Sequence, residues 1–260
     1  MDKLTYKSIG NGSNLFCLIH PFPANNRIFD KVTSYLEADN WKIILPDLPG
    51  FGESLGDENK ENWSMNELAE QINLIIDDLN FEKLVLGGVS MGGYVTMAYE
   101  KLYPNKANAL ILANTRDSKD SDGGQSRDVA IEMIQSGERN KWIKTFLIPK
   151  LFGLTTLTTK RKIMLDALEL ISNTPDYAFI QSLRGMKMRE DSRDLLSKIE
   201  IPVLIITGEE DELTGPSIAQ EMMHSYKKAQ LEIIAEAGHY APIENPAEFG
   251  TVIHKFLKTI

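Results

Sequence analysis

The chain is expected to fold as an α/β protein, with a mostly parallel central sheet, helices on both faces and a helical segment inserted into it. Three observations predict this. Through the first half, short apolar runs alternate with amphipathic stretches of helical period. Pro, Gly, Asn or Asp punctuates the chain after each run. The alternation breaks at Thr115, gives way to helical spacing, and resumes near Ile201.

A β-like stretch follows Met1-Asp2-Lys3, with no basic and apolar leader pattern. Leu15–Ile19, Trp41–Leu45, Lys83–Val89 and Ala109–Ala113 are nearly continuous apolar runs, which suits parallel strands buried on both faces. Between the second and third, Met65, Leu68, Ala69, Ile72, Ile75, Ile76 and Leu79 share one helical face. Ser64 and Glu67 form an S-x-x-E capping box at the start of that helix. The stretch from Arg116 to Arg127 is polar and Gly-containing, as in an exposed connection leading out of the sheet. Helical spacing follows, in Trp142, Ile143 and Phe146 before Pro149 and again in Ile163, Met164, Ala167, Leu168 and Ile171. Pro202–Thr207 and Gln230–Ala235 read as strands, and Phe249, Val252, Ile253, Phe256 and Leu257 stripe a closing helix. The expected division is a core of residues 1–115 and 200–260 and an inserted cap of 116–199. An insertion of about 80 residues far exceeds an ordinary connection.

Composition narrows the function. Of the 260 residues, 42% are hydrophobic and 25% charged, enough for a sizeable core without a staple. The single cysteine, Cys17, has no internal disulfide partner, and a cytoplasmic location is the default expectation. A formal net charge of -9 disfavours nucleic acid and anionic membrane surfaces as partners. No apolar run approaches the roughly 20 residues of a membrane span.

Chemistry concentrates at Gly88-Val89-Ser90-Met91-Gly92, a G-x-S-x-G pattern between an apolar run and a helical stretch. Such a turn needs small neighbours so that the serine hydroxyl stands above the sheet edge. The Met91 amide, opening a helix, would face the same point and stabilise an oxyanion. A serine nucleophile needs a base, and there are four histidines. His224 and His254 lie in helical stretches and read as surface residues, while His20 ends a strand. His239 lies in the turn between the last strand and the last helix, at the sheet edge where a base belongs. The orienting acid is expected after the strand ending at Thr207, where Glu209, Glu210, Asp211 and Glu212 all qualify.

With these segments in view, the sequence resembles the α/β-hydrolase family over essentially its whole length. The resemblance rests on His20-Pro21-Phe22-Pro23, Asp47 to Ser54, Gly88 to Gly93, Gly208 to Asp211, and Gly238-His239. It implies Asp211 as the acid and Ser90, Asp211, His239 as a catalytic triad in that chain order. It implies the Phe22 amide as second oxyanion donor, with His20 supporting that loop. Pro21 stands where the family commonly has Gly, which removes one N–H and fixes φ. Val89 to Tyr94 and Leu112 to Arg116 look most like small carboxylesterases and 3-oxoadipate enol-lactonase-like proteins.

The resemblance makes the insertion a lid carrying Met133, Trp142, Phe146, Phe152, Met164, Met186 and Met188. Some of these should face substrate, with Trp142, Phe146 and Met186 the foremost candidates. Arg116 or Arg27 would meet a substrate carboxylate. The implied function is a serine hydrolase forming an acyl-enzyme on a small ester or lactone, with neither metal nor organic cofactor required. C–C bond hydrolase, haloperoxidase or perhydrolase chemistry on the same triad is the alternative, and a ligand receptor without turnover is disfavoured. A carboxylate at position 90 would have indicated dehalogenase or epoxide-hydrolase chemistry; the residue is serine. Self-association is left open.

Overall fold

The computed structural model describes residues 3–36 and 40–260. Among the described residues seven strands form one sheet: β1 (Tyr6–Ile9), β2 (Asn14–Ile19), β3 (Trp41–Pro46), β4 (Leu84–Val89), β5 (Ala109–Ala113), β6 (Val203–Gly208) and β7 (Ala229–Ile234). Their spatial order is β1-β3-β2-β4-β5-β6-β7. Every pairing is parallel except that of β1 with β3.

Burial follows the apolar runs. Each residue of β2, β4, β5 and β6 is buried, whereas the edge strands β1 and β7 are mostly exposed or half-buried. Interior strands covered on both faces have no solvent side to place polar residues on, so their sequence does not alternate. The link from β1 to β2 reverses the chain at Gly10, whose φ of +72 is open to glycine. A link this short cannot carry a crossover, and β1 pairs antiparallel on the outer side of β3.

The amphipathic helix Met65–Asp77 begins with the expected reciprocal cap: Glu67 N–H donates to Ser64 Oγ at 3.2 Å and Ser64 N–H to Glu67 Oε2 at 2.9 Å. It ends at Asp77, short of Leu79. The helix Met91–Leu102 packs against it and against β4, burying Tyr94, Val95, Met97 and Tyr99.

Between β5 and β6 the chain is helical, as the broken alternation predicts. Its longer helices are Gln125–Gln135, Arg161–Ser172 and Asp176–Met188. Residues 139–151 form one continuous coil that widens to a π-turn at Ile143–Leu147. Pro149, which has no N–H to donate, sits in the first turn after this widening. Asp120, in the connection entering the lid, pairs with Arg127 at 2.6 Å and with Arg189 at 2.8 Å, tying the two ends of the lid together. Burial opposes ionisation of Asp120, but the two guanidinium groups outweigh it and hold the carboxyl far below its usual range. Among the described residues no helix is long and apolar enough to cross a membrane.

The strand order positions the site. From β2 the chain steps outward to β3 and then returns to place β4 on the other side of β2. Crossovers diverge at that point, leaving a crevice at the carboxyl ends of the strands. The segments after β2, β4, β5, β6 and β7 carry Phe22, Ser90, Asn114, Asp211 and His239 to this one edge.

Candidate active site

Ser90 occupies the turn from β4 into the helix Met91–Leu102, with φ +53 and ψ −111. A non-glycine residue here is strained by about 1–3 kcal/mol, and surrounding contacts must over-determine it. Ser90 N–H donates to Ala113 O at 2.9 Å, and Thr115 Oγ1 donates to Ser90 O at 2.9 Å. The glycines around it are required by space. A Cβ at Gly88 would lie 2.1 Å from the Gly92 carbonyl, and one at Gly92 would lie 2.3 Å from Ile19 O. Helix and sheet can approach this closely only without side chains at those positions.

His239 Nε2 lies 2.8 Å from Ser90 Oγ, and its Nδ1 lies 2.9 Å from Asp211 Oδ2. Three residues far apart in sequence therefore make one hydrogen-bonded line, with His239 and Asp211 buried and Ser90 half-buried at its open end. Asp211 is heavily supported. Its Oδ1 accepts from the amides of Leu213 and Thr214 at 2.8 and 3.0 Å, and its Oδ2 also accepts from Asn114 Nδ2 at 2.9 Å and Thr214 Oγ1 at 2.8 Å. Burial pushes this carboxyl up, but the neighbouring imidazole and these donors overcome that and hold it well below the usual range. Of the four carboxylates offered by the loop, Asp211 is the one facing His239. Glu210 instead accepts from the Thr155 amide of the lid at 2.8 Å.

Phe22 lines the same cavity as Ser90 and His239, and among the described residues its amide donates to no protein group. The Met91 amide is the first of its helix, one of the N–H groups with no partner inside it. His20 is buried, with Nδ1 3.0 Å from Pro21 O and Nε2 accepting from the Leu48 amide at 3.0 Å. Both ring nitrogens are satisfied by a neutral imidazole donating through Nδ1, and burial lowers its pKa. Pro21 O also accepts from the Ala24 amide at 3.0 Å, so a carbonyl-centred turn fixes this loop although residue 21 has no N–H. Asp47 holds the facing loop, accepting from the amides of Asn26 at 2.8 Å and Glu53 at 3.0 Å.

The cavity over Ser90 has a volume of about 420 Å³. All four residues singled out for substrate contact, Arg116, Trp142, Phe146 and Met186, line it. Of the other lid residues named, Met133, Phe152, Met164 and Met188 do not; Phe152 packs edge-on against Tyr240 at 5.7 Å. Arg27 is exposed beside a separate surface cavity and does not line the one over Ser90, which removes it as a carboxylate partner there. Arg116 donates to Leu213 O, so it also ties the lid entry to the acid loop. His224 is exposed, and His254 is half-buried in the closing helix, away from the line. A second cavity of about 440 Å³ shares Tyr94 and Arg116 as lining but contains none of Ser90, Asp211 and His239.

Several residues of the site carry no sequence signal. Asn114, with φ +43, bridges Asp211 and the Gly238 carbonyl, the latter at 3.2 Å. Thr214 contacts both Asp211 and His239. Tyr94, Leu147, Leu151 and Leu183 add to the apolar wall, and Arg127 and Lys150 to its charge. The run Asn114-Thr115 after a buried strand was the one available hint, since polar residues that continue a core strand need partners.

Comparison with known proteins agrees with this architecture. The family model described as alpha/beta hydrolase fold matches residues 14–150, and the chain belongs to that family. A thermophilic esterase from Thermogutta terrifontis superposes with a TM-score of 0.90 at 29% identity, over 98% of this chain and 93% of that one. A 3-oxoadipate enol-lactonase of Acinetobacter baylyi is 26% identical over 85% of this chain and 80% of its own length. A 2-hydroxy-6-oxononadienedioate/2-hydroxy-6-oxononatrienedioate hydrolase of Burkholderia vietnamiensis is 25% identical over 98% and 91%. The relatives thus share the hydrolase family and differ in the bond that their names assign to them.

Proposed function

We propose that the chain is a serine hydrolase that cleaves a small carboxylic ester or lactone through an acyl-enzyme on Ser90. The observation that carries this reading is the line Ser90 Oγ, His239 Nε2, His239 Nδ1, Asp211 Oδ2, with contacts of 2.8 and 2.9 Å at the floor of a cavity walled by both apolar and charged side chains. His239 accepts the Ser90 proton as the oxygen attacks the acyl carbon, and later returns it to the leaving group. Asp211 orients the ring and stabilises the imidazolium; the Met91 and Phe22 amides receive the oxyanion. Water then repeats the sequence on the acyl-enzyme, and no metal or organic cofactor enters any step.

The charges favour an acidic substrate. Arg116, Arg127 and Lys150 line the cavity against Asp120 and Asp122, a local positive excess in a chain of net charge -9. A second reading, C–C bond hydrolysis on the same triad, has support from the dienedioate hydrolase relative. The test is turnover of short-chain p-nitrophenyl esters by the wild type and by Ser90→Ala, beside a vinylogous diketone. The variant should lose activity by several orders of magnitude while staying folded. Equal activity in the variant removes the serine mechanism, and turnover of the diketone alone selects the second reading.

A further inference from the structure

His239 lies in a turn outside any strand or helix, yet its imidazole sits within 2.8 Å of Ser90 Oγ. Something other than regular backbone pairing must hold that turn. Five positions later, at the end of the helical turn Ala241–Glu244, Glu244 is only 3% exposed. Its Oε1 accepts from the amides of Gly238 at 2.9 Å and Tyr240 at 3.2 Å, the residues on either side of His239. Its Oε2 accepts from the amide of Gly153, in the lid, at 2.8 Å. Burial pushes this carboxyl above its ordinary range, and the amides of Gly153, Gly238 and Tyr240 together with the Thr156 hydroxyl pull the other way.

The joint is tight on both sides. A Cβ at Gly238 would lie 2.2 Å from Gly153 N, so the two backbones meet where only glycine fits. The Tyr240 amide also donates to Leu151 O at 2.9 Å. Immediately before this joint, Phe146, Leu147, Lys150 and Leu151 line the cavity over Ser90. The segment that faces substrate is thus bonded to both flanks of the histidine, to Gly238 through the Glu244 carboxylate alone and to Tyr240 both through that carboxylate and directly at Leu151 O.

We propose that Glu244 is a positioning residue for His239, clamping its turn to lid segment 147–153 so that the imidazole lines up with Ser90 when the lid is seated. The proposal rests on the serine-hydrolase reading. A general base displaced by about 1 Å loses on the order of 100-fold in rate. Releasing the Gly238 side of the turn therefore acts on the chemical step, while the Tyr240 amide still holds the cavity-lining segment at Leu151 O.

The test uses Glu244→Gln and Glu244→Leu in the full chain, read by steady-state p-nitrophenyl ester turnover and by the rate at which a fluorophosphonate labels Ser90. Gln keeps one acceptor oxygen and opposes its NH2 to the remaining amides; Leu keeps none. For Gln, kcat and the labelling rate should fall together by about tenfold, with KM within twofold, and Leu should fall further. Ile253→Val, a buried change in the closing helix, serves as a stability control and should leave both rates unchanged. A folded Glu244→Gln that labels and turns over within twofold of wild type overturns the proposal. So does a loss that only tracks the folded fraction. Should neither variant fold, amide hydrogen exchange of the wild type decides: Gly153, Gly238 and Tyr240 must open as one unit, and independent opening overturns the clamp. A wild type that neither labels nor hydrolyses any ester fails the hydrolase reading itself and takes this proposal with it, an outcome distinct from any behaviour of the variants.

Discussion

Replacing Asp211 by asparagine changes one oxygen to NH2 at a carboxylate that accepts five hydrogen bonds, two on Oδ1 and three on Oδ2. The new NH2 must face donors wherever it is placed. Toward Oδ1 it opposes two backbone amides that cannot adapt, at about 1–3 kcal/mol each. Toward Oδ2 it meets the Thr214 hydroxyl, which can turn, the His239 ring, which can change tautomer, and the Asn114 NH2, which leaves one opposed pair. The second placement costs less, about 1–3 kcal/mol, and the variant should stay folded. Its catalytic cost is larger. With Nδ1 turned acceptor, the proton sits on Nε2 and points at Ser90, so the base is lost and kcat should fall about 10²- to 10⁴-fold. Acid stability gives a second readout. A carboxyl held below its unfolded value, about 3.9, contributes stability that is complete above that pH and fades as pH falls toward the folded value. The variant should therefore lose part of the wild-type sensitivity below about pH 4. Ester turnover at pH 7.5 and urea titrations between pH 2.5 and 7 measure both effects. A folded variant with kcat within tenfold of wild type would refute the assignment of Asp211 as the orienting acid.

Arg116→Gln should lower kcat/KM for a p-nitrophenyl monoester of a dicarboxylic acid by about tenfold or more, the size of one charge-assisted hydrogen bond, and change a neutral butyrate ester little; equal effects on both would assign Arg116 to tethering alone. Burial pushes Glu100 up to about 7, so its protonated form is favoured in the fold and stability falls as pH rises from about 4 through 7. Glu100→Gln should match wild type at pH 4 and exceed it by about 1–2 kcal/mol at pH 8, allowing for solvent screening, as read by denaturant midpoints.

The parts of this molecule legible from sequence are those whose cause is local. The runs that became β2, β4, β5 and β6 are apolar throughout because both faces are covered, and no other element so short needs that composition. The turn at Ser90 is marked by glycines because a Cβ at Gly88 or Gly92 meets backbone. The capping box at Ser64 is satisfied within four residues. What stayed hidden depends on register between distant segments. Asn114 reaches Asp211 across 97 positions, and Glu244 reaches Gly153 across 91. Neither residue differs in type from dozens of surface asparagines and glutamates. The antiparallel edge strand β1 was likewise unreadable: its sequence says strand, and only the short link through Gly10 decides its direction.

The same separation applies to function. The proposed reacting line is built on strand ends, where the sheet's register fixes distances, and the esterase from Thermogutta terrifontis shares the fold that supports it. Much of the cavity wall is built on the lid, where Trp142 and Phe146 line it from the segment that widens to a π-turn at Ile143–Leu147; Phe146 is 47% exposed because it borders an open cavity, not the packed core. Substitutions at these lid positions thus change the cavity wall without touching Ser90, Asp211 or His239. Substrate panels on lid variants will therefore discriminate among ester, lactone and C–C chemistry more sharply than further substitution of Ser90, Asp211 or His239.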